Sequence, residues 1–174
     1  MGNIFAGSEI VELGIQIEKN GRDFYNTLVK QSTLRLRSGL TLSEVEASKN
    51  QKAKEIYRYL AGEEEKHIAV FQKILDSAHK YEPPEAYPGE YFAYMNALAS
   101  EYVFTQKDKG EELAKKTTSD KEAINLGIGF EKDSIIFYVG MKKVVPEYDT
   151  KVVDELILQE SEHLRQLTDL KKGL

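Results

Sequence analysis

Four glutamates and two histidines stand out because their types and spacing are those of metal ligands. Glu64 and Glu160 each open a Glu-x-x-His motif, and the two motifs are 160 − 64 = 96 residues apart. Glu18 and Glu131 stand alone, 131 − 18 = 113 residues apart, in segments that both begin Gly-Ile and lead to Phe-Tyr. Each half of the chain therefore carries one isolated Glu followed by one Glu-x-x-His. The six candidate ligands are Glu18, Glu64, His67, Glu131, Glu160 and His163.

Each of the six interrupts an apolar stripe in the middle of a predicted helix, where steps of three and four face a bundle core. In the third helix the stripe runs through Ile124, Gly127, Glu131, Ile135 and Tyr138. No Arg or Lys stands in these stripes near the glutamates to balance them. Buried carboxylates that converge repel one another strongly, and divalent cations would balance their charge. Because residues three apart share a helix face, each Glu-x-x-His can reach one ion. The pattern predicts a buried site for two metal ions.

Tyr25 and Tyr138 lie two turns beyond the isolated glutamates on the same helix face. Two interpretations are equally open: the rings pack in the core, or their hydroxyls hydrogen-bond the ligand carboxylates from behind. Gly14 and Gly127, each four residues before an isolated glutamate, are expected to leave room beside the site.

The absence of cysteine and the acidic charge exclude several classes of protein. No disulfide, thiolate zinc site or iron–sulfur cluster forms without cysteine. The net charge of −5 and the pI of about 5.4 argue against a nucleic-acid surface. The first residues lack the basic stretch of a signal peptide, and no apolar run is long enough for a membrane span. We therefore expect a cytoplasmic protein that binds neither nucleic acid nor membrane.

The candidate ligands are expected to lie on four long helices of an all-α protein whose single domain spans residues 1–174. The helices are predicted from Ser8 to about Lys30, over at least Ala53 to about Lys80, from Ser119 to before Pro146, and from about Thr150 to Lys172. A long crossover, about residues 81–118, should hold one shorter helix around 91–106. Such a connection can lead from one end of a bundle to the other, so we predict a four-helix bundle with one long crossover between helices two and three.

Capping patterns mark two of the helix starts. Ser119 and Glu122 form one predicted capping box. The segment 32–48 is ambiguous: Thr41 with Glu44 or Ser43 with Glu46 could form another, so the second helix begins there or only near Asn50. A homodimer is expected, because the crossover carries aromatic residues that either pack against the bundle or form a dimer contact. These are Tyr87, Tyr91, Phe92, Tyr94, Tyr102 and Phe104.

With these motifs the sequence resembles the ferritin-like di-iron carboxylate proteins, and within them the rubrerythrin family. The resemblance is carried by Gly-Phe-Glu-Lys-Asp-Ser-Ile-Ile-Phe-Tyr at 129–138 and Leu-Ala-Gly-Glu-Glu-Glu-Lys-His-Ile at 60–68, and it covers essentially the whole chain. It implies a ferritin-like bundle that holds two iron ions between bridging carboxylates. Glu18 and Glu131 match the family's single-glutamate ligands, and the other four candidates match its two Glu-x-x-His pairs.

The resemblance departs from the family at one ligand position. Rubrerythrins usually carry a second glutamate three residues after the ligand of the third helix, and this chain has Ser134 there. The ligand exchange assigned to that glutamate is therefore not implied here. Rubrerythrins also often append a rubredoxin domain. Because this chain has no cysteine, we expect its electrons to come from a separate donor protein.

The activity that the resemblance implies is the reduction of hydrogen peroxide, or the use of oxygen, at a di-iron centre. Two alternatives stay open. One is an iron-binding ferroxidase whose role is sequestration. The other is a non-catalytic bundle in which the metal site is vestigial or holds structural zinc or manganese.

Overall fold

The computed structural model describes residues 7–37, 43–78, 88–101, 105–143 and 145–173. Within these ranges the chain is helical and contains no strand, which confirms the all-α prediction. None of the described helices is long and apolar enough to cross a membrane. The helices are α1 Gly7–Arg37, α2 Glu44–Ala78, α3 Pro88–Glu101, α4 Lys109–Lys116, α5 Asp120–Met141 and α6 Glu147–Lys172.

The four long helices form the predicted bundle. Helix α1 packs mainly along α2, and α5 mainly along α6, while contacts of α1 with α5 and of α2 with α6 join the two pairs. Helices α3 and α4 belong to the long crossover and pack on α5 and α1, respectively. The aromatic core between the helices includes a stacked pair, Tyr25 and Tyr57, and a tilted pair, Phe71 and Tyr138, whose centroids are 4.9 Å apart.

The helix starts follow the capping chemistry of the sequence. Ser43 and Glu46 form a full capping box, because the Ser43 hydroxyl accepts from the Glu46 amide and the Glu46 carboxylate accepts from the Ser43 amide. In the alternative, Thr41 with Glu44, the residue Thr41 and the Glu44 side chain lie outside the described part of the chain. Ser119 likewise caps α5 by accepting from the Glu122 amide, but the Glu122 carboxylate reaches back one residue further, to the amide of residue 118.

The bundle helices extend beyond their predicted ends. Helix α1 continues to Arg37 rather than to about Lys30. Helix α2 begins at Glu44, at the earlier of its two possible starts, so the ambiguous segment 32–48 is mostly helical around the undescribed residues 38–42. Helix α6 begins at Glu147, directly after Pro146, where proline needs no amide donor. The prediction at Thr150 was late because apolar periodicity alone starts there.

The crossover contains two helices, not the single helix predicted around 91–106. Helix α3 begins and ends earlier, at Pro88 and Glu101. The missed helix, α4, is short and polar, with two i, i+4 ion pairs, Glu111 with Lys115 and Glu112 with Lys116. Its acidic first turn and basic last turn match the helix dipole. This charge pattern is the feature of the sequence that could have predicted α4.

Gly110 allows α4 to lie directly on α1. A Cβ atom at this position would sit 1.9 Å from the backbone oxygen of Asn20 in α1, so no larger residue fits. The Asn20 side chain secures the same crossing, because its amide donates to the Gln106 carbonyl and its oxygen accepts from the Gly110 amide. The crossover is thereby joined to α1 two residues beyond Glu18.

The aromatic residues of the crossover are partly described. Tyr91 packs against Tyr94 on α3, and the Lys143 ammonium lies 5.1 Å from the Tyr91 ring centre. Tyr94 is about half exposed. The remaining predicted contacts lie outside the described residues or side chains: Tyr87, Phe92, Tyr102 and Phe104.

Candidate metal centre

The bundle buries all six candidate ligands on its inner face. Their relative exposures lie between 1% and 5%, with Glu64 the highest. Charged side chains are almost never buried this deeply unless they are paired or bind a metal. Glu18 comes from α1, Glu64 and His67 from α2, Glu131 from α5, and Glu160 and His163 from α6.

The six residues form two overlapping groups with the size of metal sites. Each residue of a group offers one ligand atom, and these atoms lie within 4.8 Å of one another. Glu64 and Glu160 belong to both groups, so these two residues would help to hold both ions. The first group is Glu18, Glu64, His67 and Glu160, and the second is Glu64, Glu131, Glu160 and His163.

Both histidines turn their Nδ1 atoms towards the carboxylates. His67 Nδ1 lies 2.8 Å from Glu160 Oε1 and 3.3 Å from Glu18 Oε2. His163 Nδ1 lies 3.1 Å from Glu160 Oε2 and 3.7 Å from Glu131 Oε2. The two oxygens of Glu160 therefore serve different histidines. The imidazole rings stack with their centres 5.6 Å apart, which keeps the two groups adjacent.

Two tyrosines support the isolated glutamates in a reciprocal way. The Tyr25 hydroxyl on α1 donates to the Glu131 carboxylate on α5, and the Tyr138 hydroxyl on α5 donates to the Glu18 carboxylate on α1. The geometry favours the hydrogen-bonding interpretation of these residues over simple core packing. Burial raises the pKa of both phenols well above the ordinary value, so both hydroxyls keep the proton that they donate.

Burial and mutual repulsion perturb the carboxylates. Burial raises the pKa of Glu64 well above its ordinary value, and Glu18 and Glu160 add to that effect. Burial also raises the pKa of Glu131 to about 8, with a further contribution from Glu160. For Glu160 burial acts in the same direction, but hydrogen bonds from His163 and His67 outweigh it and lower the pKa.

The histidines respond to the same carboxylates. Burial alone would lower their pKa values, but Glu18 and Glu160 raise that of His67, and Glu131 and Glu160 raise that of His163 to about 9. A proton and a metal cation compete for the same Nδ1 lone pair. A cation that binds here therefore releases protons.

The polar atoms of the first group suit a metal cation. Glu18 Oε2, His67 Nδ1 and Glu160 Oε1 are buried, face one another, and lack a hydrogen bond of good geometry among the described residues. Oxygen and imidazole nitrogen without thiolate is a donor set that iron and manganese accept. The residues present thus fit a two-metal site.

Gln159 is a site residue that the sequence analysis missed. Its side-chain oxygen lies 2.8 Å from His67 Nε2, so the ring donates its Nε2 proton there and presents Nδ1 to the carboxylates. A glutamine next to a glutamate is common in helices, and nothing in the sequence pattern distinguished Gln159 from other glutamines. Its counterpart at the 96-residue offset is Glu63, which pairs with Lys66 on the surface.

Two expectations about small or apolar positions need correction. Gly14 leaves room for Met141 and Phe71 rather than for the ligands. At Gly127 an added Cβ atom would lie 3.2 Å from the Tyr25 hydroxyl, so this glycine borders the tyrosine rather than a ligand. The glycine that borders a ligand is Gly21, where a Cβ atom would come within 3.1 Å of the Glu64 carboxyl carbon.

On α5 the buried stripe passes through Ser134, which is 8% exposed, while the predicted stripe residue Ile135 is only half-buried. The next buried residue after Glu131 is therefore Ser134, three positions on, and not Ile135, four positions on, as predicted.

The comparisons with known proteins agree with this fold and site. A candidate ferritin-like diiron-carboxylate protein from Thermotoga maritima has a similar crystal structure, with a TM-score of 0.61 and 25% sequence identity over 99% of this chain and 98% of that chain. No family model and no curated protein matches the chain. The protein therefore has a ferritin-like four-helix bundle fold. Its buried Glu/His cluster fits a di-iron site, and the likeness does not single out the rubrerythrins.

Proposed function

We propose that this chain is a di-iron oxidoreductase of the rubrerythrin type, which reduces hydrogen peroxide or uses oxygen with electrons from a separate donor protein. The observation that carries the proposal is the pair of overlapping four-residue groups that share Glu64 and Glu160. A shared carboxylate pair is the arrangement that holds two metal ions within reach of one small substrate. The cysteine-free sequence is the reason for an external donor.

When bound, two iron ions would supply the two electrons that convert hydrogen peroxide and two protons into two water molecules. The residues of this chain would position the ligands of the centre. Glu160 directs one oxygen to each histidine, and the tyrosine hydroxyls fix the carboxylates of Glu18 and Glu131. Burial of all six groups keeps bulk water away and strengthens each electrostatic contact.

The proposal places the protein in the cytoplasm as a homodimer, with no nucleic-acid or membrane partner. The acidic composition argues against a nucleic-acid partner. The exposed Ile136 and Val139 on α5 support the dimer, because they offer an apolar surface to a second copy. Light scattering coupled to size exclusion distinguishes a dimer from a monomer and from the large assembly expected of a sequestering ferroxidase.

The decisive experiment measures metal content per chain by elemental analysis on protein purified without added metal. Close to two iron atoms are expected in the native protein and fewer than one in Glu160→Ala, because Glu160 belongs to both groups. Glu155→Ala is the matched control, since Glu155 lies on the exposed side of α6 and should leave the metal content unchanged.

Iron-loaded protein is then given hydrogen peroxide with a reducing partner. Turnover that depends on iron supports the oxidoreductase. Rapid oxidation of ferrous iron by air, with little response to peroxide, would instead favour the ferroxidase. If the protein binds two zinc or manganese ions and catalyses neither reaction, the site is structural. If native and Glu160→Ala protein contain the same amount of metal, the cluster is not the metal site.

A further inference from the structure

Tyr59 links the protein surface to the candidate metal centre. Its side chain lies on α2 and is 46% exposed, so part of the ring meets solvent. The same ring lies edge-on against the ring of His163 on α6, with the ring centres 6.1 Å apart and the planes at 89°. His163 is buried and belongs to the second ligand group. One side chain therefore spans the distance from solvent to a candidate ligand.

The ring contacts continue from His163 into the centre. The His163 ring stacks on the His67 ring with the centres 5.6 Å apart, and both Nδ1 atoms face Glu160. The two histidines belong to different ligand groups. Tyr59, His163 and His67 thus form a continuous row of rings that leads from the surface to both groups.

The ligands themselves are enclosed by the bundle. All six are buried, and so are Tyr25 and Tyr138, the tyrosines whose hydroxyls donate to the carboxylates. A reductant the size of a protein or an organic dye therefore makes no direct contact with the ligand atoms. Because the proposed reaction consumes two electrons, each electron has to cross this shell through the protein.

The contact between Tyr59 and a ligand belongs to one half of the repeat, and it is accessible. At the 96-residue offset Tyr59 corresponds to Glu155 on α6 (59 + 96 = 155), which has no ring. Gly62, one turn after Tyr59 on the same helix, has no side chain. Among the described residues, no side chain or neighbouring helix lies within 4 Å of the place where its Cβ atom would be. A reductant can therefore approach the surface beside the Tyr59 ring.

We infer that Tyr59 is the residue through which electrons enter the metal centre. A one-electron donor contacts the exposed ring, and an electron passes across the contact between Tyr59 and His163 to the iron ion that His163 holds. That ion is reduced from the ferric to the ferrous state, the donor is oxidised, and Tyr59 is left unchanged. Two such transfers, with two protons from solvent, supply what the reduction of one hydrogen peroxide to two water molecules consumes. This inference rests on the proposed function, because it assigns the point at which the external donor delivers its electrons.

The test measures how fast the oxidised, iron-loaded protein is reduced by the methyl viologen radical, without oxygen or peroxide. A small reductant samples the whole surface, so the loss of ferric absorption reports the most effective route to the centre. Tyr59→Leu removes the ring and should slow this reduction by about tenfold or more, which corresponds to about 1.4 kcal/mol in the activation barrier. Tyr59→Phe keeps the ring and should change the rate by less than about twofold.

Tyr94→Leu is the matched control, because Tyr94 is 47% exposed but packs on α3 against Tyr91. Iron per chain and melting temperature are recorded for every variant, since substitution of an exposed residue should leave both nearly unchanged. If Tyr59→Leu loads less iron, Tyr59→Met replaces it, because methionine also lacks a ring.

A second measurement, on metal-free protein, tests the ring contact itself. The chain has three histidines, so the ring protons of His163 can be resolved by NMR. They should shift in Tyr59→Leu, where the neighbouring aromatic ring is lost, and stay in place in Tyr94→Leu.

Unchanged or faster reduction of an iron-loaded Tyr59→Leu or Tyr59→Met variant, or unshifted ring protons of His163, would overturn the inference. Its failure is separable from that of the proposed function. Peroxide turnover with a reduction rate that does not depend on Tyr59 refutes only the electron route. Reduction through Tyr59 without peroxide turnover refutes only the oxidoreductase, whereas native protein that binds no iron refutes both.

Discussion

The two halves of the candidate metal centre carry matching ligands but hold them differently. In the first group, which we call the His67 half, Nε2 of the histidine is bonded to Gln159 and Nδ1 lies within 3.3 Å of Glu160 and Glu18. In the second group, the His163 half, Nδ1 lies 3.1 Å from Glu160 but 3.7 Å from Glu131. A small cavity between α1 and α5, which we call the α1/α5 cavity, is lined by Tyr25, Glu64 and Glu131 among others and does not border Glu18.

The difference shows that a repeated sequence need not give two equivalent metal sites. The ligands repeat, but the residues that orient them do not, because Gln159 contacts His67 while its counterpart Glu63 pairs with Lys66. Partners of this kind fix the ring orientation and raise metal affinity. We therefore expect the His67 half to hold its ion more tightly and the His163 half to be the one that a small molecule reaches.

The largest expected effect comes from removing one isolated glutamate at a time. Glu131→Ala should keep one ion per chain in the His67 half, and Glu18→Ala should keep one in the His163 half. We expect a chelator to remove the ion from Glu18→Ala at least about tenfold faster than from Glu131→Ala, in line with the effect of a lost orienting partner. Metal analysis combined with chelator kinetics makes the comparison.

Glu12→Ala is the control for this pair, because Glu12 is exposed on α1 and should keep two ions. Equal release rates from the two single-glutamate variants would show that the halves are equivalent in spite of Gln159.

Metal removal should destabilise both halves together. Each site saturated at a hundredfold excess over its dissociation constant contributes about 2.7 kcal/mol, so two sites contribute about 5 kcal/mol. In a chain of this size that corresponds to a fall of about 10–20 °C in melting temperature. Calorimetry of native protein with and without chelator measures the shift. Glu160→Ala, which lacks a residue of both groups, should show almost no shift, and an unchanged native melting temperature would contradict a buried two-metal site.

The fold was predictable because its signals are local and repeated. Apolar residues at steps of three and four placed the four long helices, and the capping residues Ser43 and Ser119 marked two of their starts. Helix ends were less predictable, since α1 continues through polar residues to Arg37. The short helix α4 was missed because Gly110 and the contact with Asn20, both needed for its packing on α1, involve residues that are 90 positions apart.

The six candidate ligands were predictable as a set because polar residues stood in apolar stripes. The residues that contact these ligands were only partly predictable. The cross-helix bonds of Tyr25 and Tyr138 could be proposed from spacing but not chosen over core packing, because that choice depends on how α1 and α5 face each other. The roles of Gln159 and Gly21 depend on contacts with α2 that no pattern along one helix contains.

The two tyrosines allow a comparison between the halves in which the expected effects are smaller. Tyr25→Phe and Tyr138→Phe each remove one hydrogen bond to a buried carboxyl group in metal-free protein. Such a bond contributes about 0.5–1.5 kcal/mol when the group is neutral and about 1.5–3 kcal/mol when it is charged. We expect losses of unfolding free energy in this range in denaturant titrations, with the lower part of the range for Tyr25→Phe at neutral pH, because the raised pKa of Glu131, about 8, leaves its carboxyl group largely protonated. Only Tyr25→Phe should also alter the binding of azide to iron-loaded protein, measured by optical titration, because Tyr25 lines the α1/α5 cavity and Tyr138 does not. An equal effect of Tyr138→Phe on azide would remove this distinction between the halves.

The smallest expected effect tests the orienting residue directly. Gln159→Leu removes the acceptor for His67 Nε2, and we expect the affinity of the tighter metal site to fall by about tenfold, the lower end of the range for such partners, because Gln159 is itself exposed. Glu63→Leu, at the corresponding position of α2, should leave both affinities unchanged. Calorimetric titration with ferrous or manganous ion resolves the two sites.

A structural effect of Gln159→Leu would weaken both sites equally, whereas an orienting effect weakens only the site that contains His67. Gln159→Glu supplies the missing control, since its carboxylate can accept the same Nε2 proton and should restore the affinity. If Gln159→Leu and Glu63→Leu behave alike, the bond to His67 does not create the inequality, and the wider spacing around His163 would be its remaining cause.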